Sequence, residues 1–235
     1  MAKLPDAAIL CGGMGTRLRG VLGGVPKGLA AVGGRPFLEV LVRDLAGAGV
    51  GRVVLCTGVG ADQIRAHFAG GDWGAEIVFS AEPAPLGTGG ALGLARPHLT
   101  TDPVLAMNGD SRVEGFDWAG FAAAFDPARA AGAVAVVATD GRDDTGRIRL
   151  DRAGRIQTFA EKQVQDGGAF QNAGIYLLSR RLLDRIPPGP SSMERDLLPA
   201  WLPEGLSAFI CRGALTDIGT PERLARAQAT GAPPA

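Results

Sequence analysis

The stretch Ala7-Ala8-Ile9-Leu10-Cys11-Gly12-Gly13-Met14-Gly15-Thr16-Arg17-Leu18 opens on an unbroken apolar run and breaks off into glycine. A run of strand length that ends this way reads as a buried strand entering a loop. From Pro36 the period changes. Leu38, Leu41 and Leu45 recur at helical spacing, and Pro36 suits the first turn of that helix. Val53-Val54-Leu55-Cys56 is a second apolar run, 62–68 a helical stretch and 76–79 a third strand; a helix from near Thr88 leads to a fourth strand at Val104-Leu105-Ala106-Met107. Strands alternating with helices form a mostly parallel sheet with helical crossovers, so the chain is expected to be α/β. Ligands of such sheets bind beyond the carboxyl ends of the strands. That rule draws 12–27, 82–90 and 108–111, each at an expected strand end, toward one place.

Beyond Gly132 the pattern is more mixed. Strands are expected at 133–138, 172–178 and 207–211, and 147–150 with 155–160 reads as a hairpin turning through Asp151-Arg152-Ala153-Gly154. A short helix is expected at 193–198, and a last one at 221–229 with Thr220 as its cap and Pro221 at its first position. The chain of 235 residues shows no internal repeat and no dividing linker, so one domain over 1–235 is expected. Lys plus Arg and Asp plus Glu number 24 each, and a formal charge of zero argues against a nucleic-acid duplex as partner. No apolar run reaches membrane-spanning length, and no secretory pattern precedes the first strand. Cys11, Cys56 and Cys211 stand singly among apolar residues and read as buried thiols, which points to a cytoplasmic protein. A homo-oligomer is compatible with the sequence.

Four constellations bear chemistry. Gly12, Gly13 and Gly15 let backbone N–H groups approach phosphate oxygens; Arg17 behind Thr16 adds a planar fork, and Lys27 after Pro26 a compact positive charge. The spacing is neither that of a P-loop nor that of a dinucleotide fingerprint. Asn108-Gly109-Asp110 puts a carboxylate directly after a strand, where Mg²⁺ needs only one or two protein carboxylates if phosphates and water supply the rest; the same tripeptide also suits an Asx-turn. Asp217, just before the last helix, offers a second carboxylate for the same cation or belongs simply to the turn of Gly219 and Thr220. Glu161-Lys162 is either a sugar-hydroxyl acceptor beside a cation for a monophosphate or a solvated charged edge, and Glu194 is either a helix-start residue or another hydroxyl acceptor. His67 and His98 belong to no nucleophile or zinc pattern, which disfavours histidine-centred chemistry.

In this order and spacing, with Pro85-Leu86-Gly87-Thr88-Gly89-Gly90-Ala91, Asn172-Ala173-Gly174-Ile175-Tyr176 and Asp217-Ile218-Gly219-Thr220-Pro221 beside them, these motifs resemble the sugar-1-phosphate nucleotidyltransferases over nearly the whole chain. Within that family the pattern is most similar to the D-glycero-α-D-manno-heptose 1-phosphate guanylyltransferases. The resemblance implies a Rossmann-like, doubly wound, mostly parallel mixed sheet flanked by helices, a GT-A-like nucleotidyltransferase fold. It further implies a nucleotide-binding part over 1–130 and a sugar-phosphate part over 131–230. The expected substrates are a nucleoside triphosphate, GTP foremost, and a sugar 1-phosphate; the expected cofactor is Mg²⁺ on Asp110 and Asp217. Arg17 and Lys27 would serve the phosphates and Lys162 the sugar phosphate. Leu10, Gly12, Gly13, Gly15, Thr16, Glu82, Gly87 and Thr88 would hold the nucleotide; Gly109, Glu161, Asn172, Gly174 and Glu194 would hold the sugar side. Glu82 would favour guanine, whose Watson–Crick edge presents two adjacent donors to an acceptor-only carboxylate. Mannose 1-phosphate and N-acetylmuramate 1-phosphate are competing sugars, and a nucleotide-sensing module without turnover is the alternative of another class. Gln163 departs from the family's usual proline, and no appended β-helix domain is expected.

Overall fold

In the computed structural model, which describes residues 3–13, 15–139, 147–160 and 169–231, the opening apolar run is β1 (Ala7–Leu10). The chain then passes through the glycine loop and the short α1 (Arg19–Leu22) into a small hairpin of β2 (Ala31–Val32) and β3 (Arg35–Pro36). The expected alternation continues as α2 (Phe37–Gly47), β4 (Arg52–Thr57), α3 (Ala61–Phe68), β5 (Glu76–Ala81), α4 (Gly87–Ala95) and β6 (Val104–Asn108). In α2 the leucine spacing buries Leu38, Leu41 and Leu45 along one stripe.

β1 lies between β4 and β6, parallel to both, and β4 pairs in parallel with β5. The chain therefore moves outward on one side of β1 through α2 and α3, and α4 returns it to the other side. Where the direction reverses, the carboxyl ends of β1 and β6 leave a crevice. Side chains alternate between two cores. Ile9, Leu55 and Met107 join α2 and α3 on one face, whereas Ala8, Val54 and Ala106 join α4 on the other. A strand covered on both faces is apolar throughout, which is why β1, β4 and β6 stand out in the sequence.

The second half contributes β7 (Ser111–Val113), α5 (Trp118–Ala124), β8 (Gly132–Ala138), β9 (Arg147–Leu150), β10 (Ile156–Ala160), β11 (Phe170–Leu178), α6 (Arg180–Leu183), α7 (Leu198–Trp201), β12 (Leu206–Ile210), β13 (Leu215–Asp217) and α8 (Pro221–Thr230), of which β7 and β13 form a separate two-stranded ribbon. β11 runs antiparallel beside β6, giving a nine-stranded mixed sheet in the order β10-β9-β11-β6-β1-β4-β5, with β8 between β11 and β12. β9 and β10 form the expected hairpin. The Thr220 hydroxyl caps α8 by accepting from Arg223 N–H at 3.3 Å, and Pro221 opens the helix.

Several features depart from the sequence reading. α5, capped by Asp117, and the antiparallel pairing of β7 with β13 were not foreseen. The short helix at 193–198 is a π-turn, Met193–Leu197, that runs into α7. Of the three free thiols only Cys56 is buried; Cys11 and Cys211 are half-buried, each one residue past a strand end. Burial still pushes the Cys11 thiol up to about 12. Among the described residues no helix is long and apolar enough to cross a membrane.

Candidate active site

The glycines after β1 are placed by the ends of β4 and β5. A Cβ on Gly12 would lie 3.0 Å from Glu82 Oε1 and 3.0 Å from Gly58 N; one on Gly58 would lie 2.6 Å from Gly12 O. Two strand-end backbones and one carboxylate thus touch here, an approach that glycine permits. Glu82 is held from its other oxygen, since Leu86 N–H donates to Oε2 at 3.0 Å. Beside this contact a cleft of about 220 Å³ opens, lined by Leu10, Gly12, Gly13, Glu82, Pro85, Gly87, Thr88 and Ala91. Six residues expected at the nucleotide line one wall system although they come from three segments; Pro85 and Ala91 complete it.

Gly13 also lines a second cleft of about 130 Å³, with Gly15, Pro26, Lys27, Val59 and Gly60 among its walls. Gly15 is left-handed at φ 53°, and Leu18 N–H donates to its carbonyl at 2.9 Å, which turns the loop into the short helical stretch that carries Thr16 and Arg17 at the surface. Lys27 faces the other way. Its ammonium donates to Asp110 Oδ2 at 2.5 Å, bridging residues 83 apart in sequence.

Asp110 follows β6 through Gly109, whose N–H donates to Leu10 O at 2.9 Å and which has no room for a side chain, a Cβ there falling 2.9 Å from both Leu10 O and Cys11 Cβ. The chain then enters β7, which pairs Ser111 with Asp217 on β13, while Ile218 N–H donates to Asp110 O at 2.9 Å. This ribbon sets the two carboxylates side by side: a Cβ on Gly219 would lie 2.8 Å from Asp217 Oδ1 and 3.9 Å from Asp110 Oδ2. Burial, and then the negative charge of Asp110, push the Asp217 carboxyl above its ordinary value against the pull of Gly219 N–H, Arg223 and Lys27. Arg223 donates to Asp217 Oδ2 at 2.8 Å. Arg112 of β7 grips Asp44 of α2 through contacts of 2.6 and 3.2 Å, which ties the ribbon to the core helix. Among the described residues no three His, Cys, Asp or Glu side chains gather as a metal site. A pair of carboxylates remains, with an ammonium against one of them.

On the other side of β6, Gly174 takes φ 72° within β11, and a Cβ there would lie 2.8 Å from Asn108 Nδ2. Gly174 N–H donates to Asn172 Oδ1 at 2.9 Å, and Asn172 Nδ2 donates to the buried Tyr176 hydroxyl at 2.8 Å. Burial and the neighbouring Glu194 hold that phenol well above its ordinary value. Glu194 itself accepts from Thr88, Ser192, Asn108 and Tyr176. Its acceptor directions are taken up by protein donors. Glu161 and Lys162, expected at the sugar phosphate, lie outside the described residues. Tyr176, though it closes the quoted 172–176 motif, was given no role in the sequence reading, nor were Ser192, Arg112 and Arg223; a hint for Arg223 was its place in the first turn of the helix after Asp217, within reach of it.

Residues 6–232 match the family model described as Nucleotidyl transferase. The chain is 33% identical over 229 residues to the mannose-1-phosphate guanylyltransferase of Mycobacterium tuberculosis, a match that covers 95% of this chain and 64% of that protein. It is 33% identical to the mannose-1-phosphate guanyltransferase of Schizosaccharomyces pombe, covering 92% of this chain and 61% of the other. The chain thus spans under two thirds of the length of these relatives. The crystal structure of HddC from Yersinia pseudotuberculosis complexed with GMP-PN superposes with a TM-score of 0.83 at 31% identity, covering 97% of this chain and 99% of that one.

Proposed function

The chain belongs to the nucleotidyl transferase family, and from that premise we propose that it transfers GMP from GTP to a sugar 1-phosphate, D-glycero-α-D-manno-heptose 1-phosphate foremost, releasing pyrophosphate. The observation that carries this reading is continuity. The cleft beside Glu82 shares Gly13 with the cleft beside Lys27, and Lys27 touches Asp110, so base, phosphates and reacting centre can be threaded through one run of contacts. Guanine is favoured by Glu82 in the first cleft, by guanylyltransferase relatives and by GMP-PN in the similar HddC structure.

The nucleophile is a phosphate oxygen of the sugar 1-phosphate, which attacks the α-phosphorus as the bond to the pyrophosphate oxygen breaks. Since a phosphate monoester has its second ionisation near pH ~6, that oxygen is already anionic at neutral pH and no protein base is required. The protein's work is to bring two anions together in line and offset their charge. Lys27 and Arg17 serve the triphosphate, and Lys162 the sugar phosphate. Gly13 and Gly15 give the nucleotide room, Gly12 lets the strand ends at Gly58 and Glu82 close on the loop, and Gly109, Asn172 and Gly174 shape the sugar side. Asp110 and Asp217 fit a divalent cation, because two carboxylates converge beside Gly219 with the Lys27 ammonium as a stand-in charge. Mg²⁺ held there would supply Lewis-acid neutralisation of phosphate charge. In this reading the nucleotide belongs chiefly to residues 1–130 and the sugar phosphate to 131–230.

The test is a matrix of nucleoside triphosphates against sugar 1-phosphates, assayed for pyrophosphate with Mg²⁺. Pyrophosphate is expected only when GTP and the heptose 1-phosphate are both present. Mannose 1-phosphate is the second reading, supported by the relatives from Mycobacterium tuberculosis and Schizosaccharomyces pombe; faster turnover with it would replace heptose. Nucleotide binding without turnover on any sugar phosphate would favour a sensor and overturn the transferase.

A further inference from the structure

We infer that Glu194 is a positioning residue that locks the nucleotide cleft to the sugar side, an inference that rests on the transferase reading of the site. A carboxylate has about four acceptor directions. Oε2 accepts from the Thr88 and Ser192 hydroxyls, each at 3.1 Å, and Oε1 from Asn108 Nδ2 at 3.3 Å and the Tyr176 hydroxyl at 3.4 Å. Those donors belong to different parts of the site. Thr88 lines the cleft beside Glu82, Asn108 directly precedes Gly109-Asp110, and Tyr176 holds Asn172. One side chain therefore fixes three segments that approach two different substrates.

Local structure supports the same role. Glu194 stands in the π-turn, where the Ser192 hydroxyl caps the turn by accepting from Arg195 N–H at 3.2 Å, and the Thr88 hydroxyl accepts from Met193 N–H at 2.8 Å. Thr88 thus spends its acceptor on the backbone of the turn and its single donor on the carboxylate within it. Each hydroxyl has one way to satisfy both bonds, so the geometry has little freedom to drift.

The expected signature is that Glu194, although on the sugar side, governs nucleotide affinity when no sugar is present. Binding of guanosine 5′-(β,γ-imido)triphosphate with Mg²⁺, measured by calorimetry for the full chain, should weaken by about tenfold in both Glu194→Gln and Thr88→Val, the scale of a hydrogen bond to a charged group. The double variant should lose no more than the weaker-binding single variant, and Thr88→Ser should recover most of the affinity. Losses that multiply in the double variant, or a Glu194→Gln protein with wild-type affinity, would overturn the inference while leaving the transferase reading intact. A wild-type chain that binds no guanine nucleotide overturns both. Should Glu194→Gln fail to fold, Thr88→Val and Ser192→Ala carry the same comparison, each removing one donor to Oε2.

Discussion

Gly13 and Gly15 of the first loop and the glycines of α4 meet different surroundings. A Cβ on Gly13 would find nothing within 4 Å, and one on Gly15 only Lys27 Cβ at 3.6 Å. On α4 the space is already taken: a Cβ would lie 2.5 Å from Ser191 O at Gly87, 2.6 Å from Ser191 Oγ at Gly89, 2.5 Å from Gly189 O at Gly90 and 2.9 Å from Ile186 Cγ2 at Gly93. The backbone donors differ in the same way. A helix opening after a strand is a ready anion site, yet the N–H groups of Gly89 and Gly90 donate to Ser191 O at 2.8 and 3.2 Å. At 13 and 15 glycine leaves room for a ligand; at 87–93, as at Gly12, it leaves room for the chain itself.

The sharpest way to separate the two regions is a pair of substitutions with opposite readouts. Asp110→Ala, at the end reached from the open loop through Lys27, should lower pyrophosphate release by roughly 10²–10³-fold. Its thermal midpoint should move by no more than about 3 °C, since the lost ion pair is partly exposed. Gly90→Ala, in the packed stretch, forces a methyl against the Gly189 carbonyl and Leu86 Cβ. Overpacking of this kind costs about 1–3 kcal/mol, so the midpoint should fall by about 3–10 °C. An Asp110→Ala protein with near-normal turnover at saturating Mg²⁺ would remove that carboxylate from the reaction. A Gly90→Ala protein that melts with the wild type would show that the 189–191 strap yields.

Glu82 spans the two regions, one oxygen on the N–H of Leu86 before α4 and the other beside Gly12. Glu82→Gln should reduce discrimination of GTP over UTP by about tenfold, the loss of one charged hydrogen bond. Unchanged discrimination would take Glu82 out of base reading and leave it as a cap.

Much of the fold was open to reading in the sequence because burial on both faces writes itself as unbroken apolar runs. β1, β4 and β6 follow from Ala7 to Leu10, Val53 to Cys56 and Val104 to Met107, and α8 from Thr220 and Pro221. The parts that could not be read are held by contacts between distant residues. β7 and β13 are three residues each, too short for a period, and pair only because the sheet and α8 bring them together. Lys27 meets Asp110 across 83 residues and Thr88 meets Glu194 across 106. The π-turn at Met193–Leu197 has the composition of an ordinary helix; Leu197 N–H reaches back to Ser192 O at 3.1 Å, one residue further than an α-turn would.

The smallest expected effect also has the most telling sign. Gly13 is absent from the positive-φ glycines and has open space around its Cα, so alanine fits its backbone without strain. Removing a glycine from the unfolded ensemble then stabilises the fold by about 0.4–1 kcal/mol, a rise of roughly 1–4 °C in midpoint. The new methyl enters open space at the residue that lines both clefts. Gly13→Ala should therefore raise the KM for GTP several-fold in a protein that melts higher than the wild type. Gly90→Ala should lower stability through a contact the native chain makes with itself. If Gly13→Ala is instead destabilising, the loop is packed in solution and its openness cannot be what the nucleotide uses. If it is stabilising but KM is unmoved, the triphosphate passes elsewhere and Lys27 must be approached from the far side of Asp110.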